Sequence, residues 1–248
     1  MPDLTDRIID FARSKGADLV GIADADSFLI QDEQNKFCPR FYLPEAKSVI
    51  VIGLKLVDSI WDRLTGNYDP YSTNLHSYLM HYNYDQLDFI SCQVARFLED
   101  IGYDGYPIEA RTETKSGKVF VGLFPFKEAA VLAGMGRIGK SSLLITPEFG
   151  PRVRLTAVIT DAPLDTTIEA EPGTVEDVCN SCTLCIDQCP AGAISYDKEK
   201  KVTVIDKEMC QARMDWAQCA LCQGVCILGH KAAKKRRERK TNIYYMGF

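Results

Sequence analysis

An α/β core followed by a small lobe built round cysteines is the fold class that the 248-residue sequence predicts. Three observations carry it. Helical apolar periodicity alternates with short, strand-length apolar runs over the first two thirds of the chain. The acidic stretch from Asp161 to Asp177, with Pro163, Pro172 and Gly173, then reads as a linker. Behind it, eight of the ten cysteines lie between Cys179 and Cys226.

The run Cys179-Asn-Ser-Cys182-Thr-Leu-Cys185-Ile-Asp-Gln-Cys189-Pro190 has the spacing with which bacterial ferredoxins hold 4Fe–4S cubanes. A tight CxxCxxC loop turns three sulfurs toward three irons of one cube. The fourth Cys, expected at the start of the next helix, points to a neighbouring cube. A second cluster needs four further ligands, and Cys210, Cys219, Cys222 and Cys226 repeat the order with the first gap stretched to eight residues. On the crossed pattern Cys179, Cys182, Cys185 and Cys226 hold one cube, and Cys189, Cys210, Cys219 and Cys222 the other. Ile227 stands where a Pro usually follows the last ligand. Structural zinc sites use separated CxxC pairs, a poor fit to CxxCxxC followed by CxxxCP.

Disulfides need an oxidising compartment. Met1 to Lys15 carries Asp3, Asp6 and Asp10 among its apolar residues, so it reads as neither a signal nor a transit peptide. No apolar run approaches the about 18 residues of a membrane span. A cytoplasmic protein, with no membrane partner, is the expectation. An apolar content of 46% with 25% charged residues is enough for a sizeable core. The net charge of -5 hides an asymmetry: Lys231 to Lys240 carries a local +6, leaving -11 on the rest. That block reads as a solvated terminal helix, the other readings of such a charge run being contact with nucleic acid or with an acidic partner.

Taken in order, Leu4, Ile8, Ile9 and Ala12 predict a helix that Thr5 or Asp3 caps and Gly16 stops. A strand over Asp18 to Ala23 follows, then an irregular stretch from Phe28 to Pro44. Ser48 to Leu56 is a nearly unbroken apolar run, as for a strand covered on both faces. Asn74 to Ile101 reads as one long helix, or two joined near Tyr82 to Tyr84, with Leu87, Ile90, Val94, Phe97 and Leu98 inward. His76, Tyr78, His81, Tyr82 and Tyr84 cluster at its start, where packing is the ordinary reading. Cys38 and Cys92 have no partner at metal spacing and read as plain buried or loop thiols. Strands are expected at Tyr106 to Ala110 and Arg152 to Thr160, a helix over Lys127 to Ala133, a short helix at Ala191 to Ile194, and a hairpin over Ser195 to Ile205.

Gly134-Met-Gly136-Arg-Ile-Gly139-Lys140-Ser141 satisfies both GxGxxG and GxxxxGK[ST]. Both motifs need a strand before and a substantial helix after. Here a helix precedes and Pro147 follows within a few residues, which excludes a nucleotide-phosphate loop. The glycines still demand a sharp turn and a close approach.

Leu19-Val-Gly-Ile-Ala, Ser48-Val-Ile-Val-Ile-Gly, Ala133-Gly-Met-Gly-Arg-Ile-Gly-Lys140, Leu144-Ile-Thr-Pro-Glu-Phe-Gly150, Arg152-Val-Arg-Leu and Thr160-Asp-Ala-Pro-Leu, followed by the dicluster run, together resemble the epoxyqueuosine reductase and reductive dehalogenase superfamily, in a short variant. The resemblance implies a nitroreductase-like α/β core that binds cobalamin without a protein His, beside a ferredoxin-like domain. It also implies electrons passing through both clusters to cobalt, and reductive elimination driven by Co(I) or Co(II) under anaerobic conditions. The absence of a DxHxxG motif agrees with that mode of binding. A flavin is the substitute such a core can hold.

Three departures accompany the likeness. Epoxyqueuosine reductases carry an acidic proton donor in a segment like Val-Asp-Ser-Ala-Pro, where this chain has Val121-Gly122-Leu-Phe-Pro125. The helical-repeat tRNA-binding region of many of those enzymes has no counterpart beyond the basic tail, and the export signal and longer core of the dehalogenases have none. The catalytic group is therefore unassigned, with Tyr82, Tyr84 and Tyr106 as phenolic candidates.

The expected domains are a corrinoid-binding core over 1–165, a dicluster domain over 166–230 and a basic tail over 231–248. Gly134, Met135, Gly136, Arg137, Gly139, Lys140, Ser141, Thr146 and Arg152 are expected to border the corrinoid. The expected function is an oxidoreductase that passes electrons through two 4Fe–4S clusters to a bound corrinoid and reduces a small-molecule substrate. The other reading is an electron-transfer protein that reduces a partner such as a corrinoid protein. Either needs a low-potential donor of ferredoxin or flavodoxin type.

Overall fold

The computed structural model describes residues 3–62, 70–111, 113–116, 119–122, 124–167, 179–200, 202–217, 219–232 and 234–235. In chain order its elements are α1 (Leu4–Ser14), β1 (Leu19–Asp24), β2 (Ser48–Lys55), α2 (Asp58–Trp61), α3 (Pro70–Asp100), β3 (Gly105–Ile108), β4 (Glu113–Ser116) and β5 (Val119–Gly122). Then come α4 (Phe126–Leu132), β6 (Arg137–Ile138), β7 (Leu144–Ile145), β8 (Val153–Thr160), α5 (Leu184–Asp187), β9 (Ile194–Asp197), β10 (Val202–Ile205), α6 (Lys207–Ala217) and α7 (Leu221–Gly224). The chain forms two compact units, each drawn from three stretches. One comprises Met1–Lys55, Tyr78–Gly136 and Arg154–Pro172; the other comprises Leu56–Ser77, Arg137–Val153 and Gly173–Phe248.

The first unit is built on a sheet of order β1-β2-β8-β3. β1 pairs antiparallel with β2, from Leu19 opposite Gly53 to Asp24 opposite Ser48, and β3 pairs antiparallel with β8. β2 is buried along all but its last residue, as its unbroken apolar run requires. Asp3 caps α1 by accepting from the Asp6 N–H at 2.8 Å, and Gly16 ends the helix at φ +107°. Ile8 and Ala12 of α1 then share one core with Ile22, Ile50 and Ile52 of the sheet and with Leu87, Ile90, Val94 and Leu98 of α3. α3 runs through Tyr82 to Tyr84 without a break, and Phe97 stacks on Phe11 at 4.3 Å between ring centroids. Gly21 is obligatory in β1, because a Cβ there would stand 2.8 Å from Met135 Cγ and 2.9 Å from Ala133 Cβ.

The stretch after β8 is no free linker as far as it is described. Leu164 N–H donates to Ser48 Oγ, Asp165 N–H to Thr5 Oγ1, and Thr167 Oγ1 to Ala133 O at 2.6 Å. Its remainder, 168–178, lies outside the described residues. The β4–β5 hairpin has no counterpart among the expected elements. Cys38 is buried as expected, whereas Cys92 is exposed on α3.

The second unit has a polar interior. Trp61 is fully buried and its Nε1 donates to Gln223 Oε1 at 2.8 Å, while Gln223 Nε2 donates to Pro151 O. Arg152, 0% exposed, pairs through Nη1 with Asp58 at 3.1 Å and Asp62 at 2.8 Å, and its Nη2 lies 3.2 Å from His230 Nδ1. β9 and β10 form the expected hairpin. The helix expected at Ala191 to Ile194 is replaced by a turn, because Gly192 takes φ +59° and β9 already begins at Ile194. No helix among the described residues is long and apolar enough to cross a membrane.

Candidate functional site

Each of the eight cysteines sits on a short element of the second unit. A turn closed by Cys182 N–H donating to Cys179 O at 2.9 Å holds the first two, with Asn180 at φ +47°. Cys185 lies on α5. Cys189 follows that helix, its N–H donating to Ile186 O, instead of opening a new one as expected. Cys210 rides on α6 and Cys222 on α7, while Cys226 precedes a helical segment, 227–232. All eight are free, half-buried thiols.

Their mutual electrostatics divides them into two sets. Burial pushes the Cys185 thiol up to about 11, and Cys179, Cys226 and Cys182 push it in the same direction. Burial also raises Cys226; N–H groups of Gly229 and Leu228 bonded to its sulfur oppose this, and Cys179 and Cys182 add to it. In the other set burial pushes Cys222 up to about 12, with Cys219, Cys210, Cys185 and Cys189 contributing, and Cys210 is raised by burial and then by Cys189 and Cys219. Cys185 and Cys222 are the point where the sets touch. Burial thus favours the protonated form of these thiols, and a cationic centre bound to sulfur would draw the protons off. Among the described residues no three His, Cys, Asp or Glu side chains converge on a single-ion site.

The glycine loop approaches the first cysteine. Gly134 ends α4 at φ +70°, and Met135 is buried. From Arg137, half-buried in β6, the loop turns through Gly139 into β7. A Cβ on Gly139 would lie 3.0 Å from Ile145 Cγ1 and 3.3 Å from Cys179 Sγ. The Lys140 N–H donates to that same sulfur at 3.3 Å. The Lys140 ammonium turns inward, donating to Asn180 O at 2.6 Å and Cys182 O at 3.2 Å, over the Tyr196 ring at 4.8 Å. Thr203 Oγ1 donates to Lys140 O. Ser141 is buried beside it. The elements that follow the loop are the strands β7 and β8, with no helix between them.

The other two residues expected at the corrinoid are likewise engaged inside the unit. Thr146 Oγ1 accepts from Phe149 N–H at 3.0 Å and donates to Gly150 O, closing the turn after β7. Arg152 is held by Asp58 and Asp62. Of the expected set, the structure thus brings Gly139 and Lys140 to the cysteines, and turns Thr146 and Arg152 to local structure.

In the first unit, Tyr78 and Tyr82 are exposed, Tyr84 packs on the core, and His81 Nδ1 lies 2.7 Å from Arg111 Nη1. Sequence reasoning missed Tyr42, which stands against Tyr106 at 5.5 Å and Phe124 at 5.9 Å. Burial and then Tyr106 push its phenol up to about 12, so it carries its proton at any physiological pH. Thr203, Tyr196 and Gln223 were also missed. Nothing in their spacing marks them, since each is recruited across the chain.

No protein-family model matches the chain. It is 27% identical to an epoxyqueuosine reductase of Bacillus subtilis over a 265-residue alignment that covers 91% of this chain and 63% of that protein. It is 30% identical over 223 residues to a tetrachloroethene reductive dehalogenase of Dehalobacter restrictus, covering 77% of this chain and 38% of that one. The chain thus spans less than two thirds of the length of these relatives. Two solved structures share the fold: an epoxyqueuosine reductase with an epoxyqueuosine-modified tRNA stem loop (TM-score 0.58, 22% identity, 92% of this chain and 65% of that one), and a catabolic reductive dehalogenase (0.65, 20%, 90% and 31%).

Proposed function

From its place in the superfamily of epoxyqueuosine reductases and reductive dehalogenases, we propose that the chain is an iron–sulfur oxidoreductase that passes electrons through two 4Fe–4S clusters to a bound corrinoid and reduces a small substrate. The observation that carries the cluster assignment is the division of eight thiols into two mutually interacting sets, Cys179, Cys182, Cys185 and Cys226 against Cys189, Cys210, Cys219 and Cys222. The donor set fits: each iron of a cube takes one thiolate, so a set of four cysteines supplies one ligand to each of four irons. When bound, the clusters relay single electrons, and the corrinoid supplies the low-valent metal that breaks a substrate bond. The chain's part is to hold the sulfurs and to spread their charge onto N–H donors: Lys140 to Cys179, Ala193 to Cys189, and Leu228 and Gly229 to Cys226. The parts of the proposal are a nitroreductase-like core, expected over 1–165, a ferredoxin-like domain, expected over 166–230, and a basic tail over 231–248; in the fold the cysteine-bearing unit also takes in Leu56–Ser77 and Arg137–Val153. A ferredoxin- or flavodoxin-type donor in the cytoplasm completes the proposal.

The inward commitment of Lys140, Thr146 and Arg152 favours a second reading. Their side chains are bonded inside the unit, which leaves their backbone as the part that would border a corrinoid, and an electron carrier that reduces a separate corrinoid protein needs no such border. Anaerobic reconstitution separates the two. The first reading expects iron for two cubanes together with tight binding of added cobalamin, followed by absorbance and by the Co(II) EPR signal. Iron for two cubanes with neither cobalamin nor flavin bound would overturn it in favour of the carrier. Apart from Lys231, Lys234 and Lys235, the charges of the basic block lie outside the described residues; loss of tRNA binding on its removal would assign it a role.

A further inference from the structure

Lys140 is 5% exposed, an ammonium almost wholly removed from water. A buried cation is normally paired with a carboxylate, because desolvation costs several kcal/mol that neutral dipoles alone repay poorly. Among the described residues Lys140 has no carboxylate partner. What it has is the carbonyls of Asn180 and Cys182, the face of Tyr196, and its own N–H on the sulfur of Cys179. The charge therefore sits inside the loop that presents Cys179 and Cys182, with the Tyr196 ring of β9 against the ammonium and Thr203 of β10 fixing the Lys140 backbone carbonyl. Such a site is completed by an anion built on those cysteines.

We propose that Lys140 is a positioning residue that supplies the counter-charge of the cluster held by Cys179, Cys182, Cys185 and Cys226 and raises its reduction potential. The proposal rests on the cluster assignment above. A cube with four thiolates carries net negative charge, and one-electron reduction adds one more. A fixed cation in a low-dielectric loop favours the reduced state, and the backbone N–H on Cys179 acts in the same direction. A charge fixed at one ligand loop moves the potential of that cluster, and a difference in potential between two clusters gives electron flow a direction.

The test compares wild type, Lys140→Gln and Lys140→Arg, reconstituted anaerobically, by iron content and by redox potentiometry with EPR of the reduced clusters. Gln keeps the backbone N–H on Cys179 and removes the charge; Arg keeps both. The expected result is full iron in all three, with one of two potentials moved to more negative values in Lys140→Gln alone and the other unchanged. Two unshifted potentials in Lys140→Gln at full iron would overturn the proposal, as would an equal shift in Lys140→Arg. If Lys140→Gln loses half its iron, the charge requirement stands only where Lys140→Arg keeps it; loss in both overturns it. Wild type that takes up no iron overturns the cluster assignment itself.

Discussion

Gly150 and Gly192 offer a matched pair of substitutions. Both have φ +59°, where an L side chain costs about 1–2 kcal/mol. They differ in what a Cβ would meet. At Gly192 nothing lies within 4 Å, whereas at Gly150 the new atom would stand 2.6 Å from Gly229 N, 2.8 Å from Gly229 Cα and 2.9 Å from the Leu228 carbonyl carbon. Backbone cannot rotate away as a side chain does, so the clash adds overpacking of about 1–3 kcal/mol. Gly192→Ala should therefore lose about 1–2 kcal/mol by the strain alone, and Gly150→Ala about 2–5 kcal/mol, the two costs together. The segment displaced is the one whose Leu228 and Gly229 N–H groups bond to Cys226, so Gly150→Ala should also lower iron uptake while Gly192→Ala does not. Urea unfolding of the two variants under one buffer, with iron assayed after reconstitution, reads both effects. Equal destabilisation of the pair would refute the close crossing of Gly150 and Gly229.

Cys185→Ser should halve the iron content and loosen the cysteine lobe, and full iron in that variant would remove Cys185 from the ligands. Gln223→Ala should cost about 2–5 kcal/mol, since it opens a cavity and leaves both the buried Trp61 N–H and Pro151 O without their partner; chemical denaturation measures it. Asp88 is held above its ordinary value of 3.8, first by burial, against the Ala110 N–H that lowers it, and then by Glu109 and Asp85. Its folded state binds the proton more tightly than the unfolded chain, so its contribution is complete below pH 3.8 and is lost as pH rises through the raised value. Asp88→Asn should flatten that fall in stability over the same window, and an unchanged pH profile would count against the burial of Asp88.

The loop from Gly134 to Ser141 shows where legibility in the sequence stops. Its glycines announced a sharp turn and a close approach, and Pro147 announced that no phosphate-binding helix could follow; both are local properties of the chain, set within a few residues. What approaches is Cys179, 40 residues beyond Gly139 in the sequence, and no period or spacing connects the two. The α/β elements of the first unit were legible for the same local reason: α1 has its cap and its stop, and β2 its apolar run. The interior of the second unit was not, because Arg152, Gln223 and Trp61 are a charge, an amide and an aromatic that find partners only through crossings such as Gly150 on Gly229. A lysine in a glycine loop reads as a phosphate ligand when the loop is taken alone. Once that lysine is buried against the carbonyls of Asn180 and Cys182 without a carboxylate among the described residues, the anion it serves has to be sought at the cysteines.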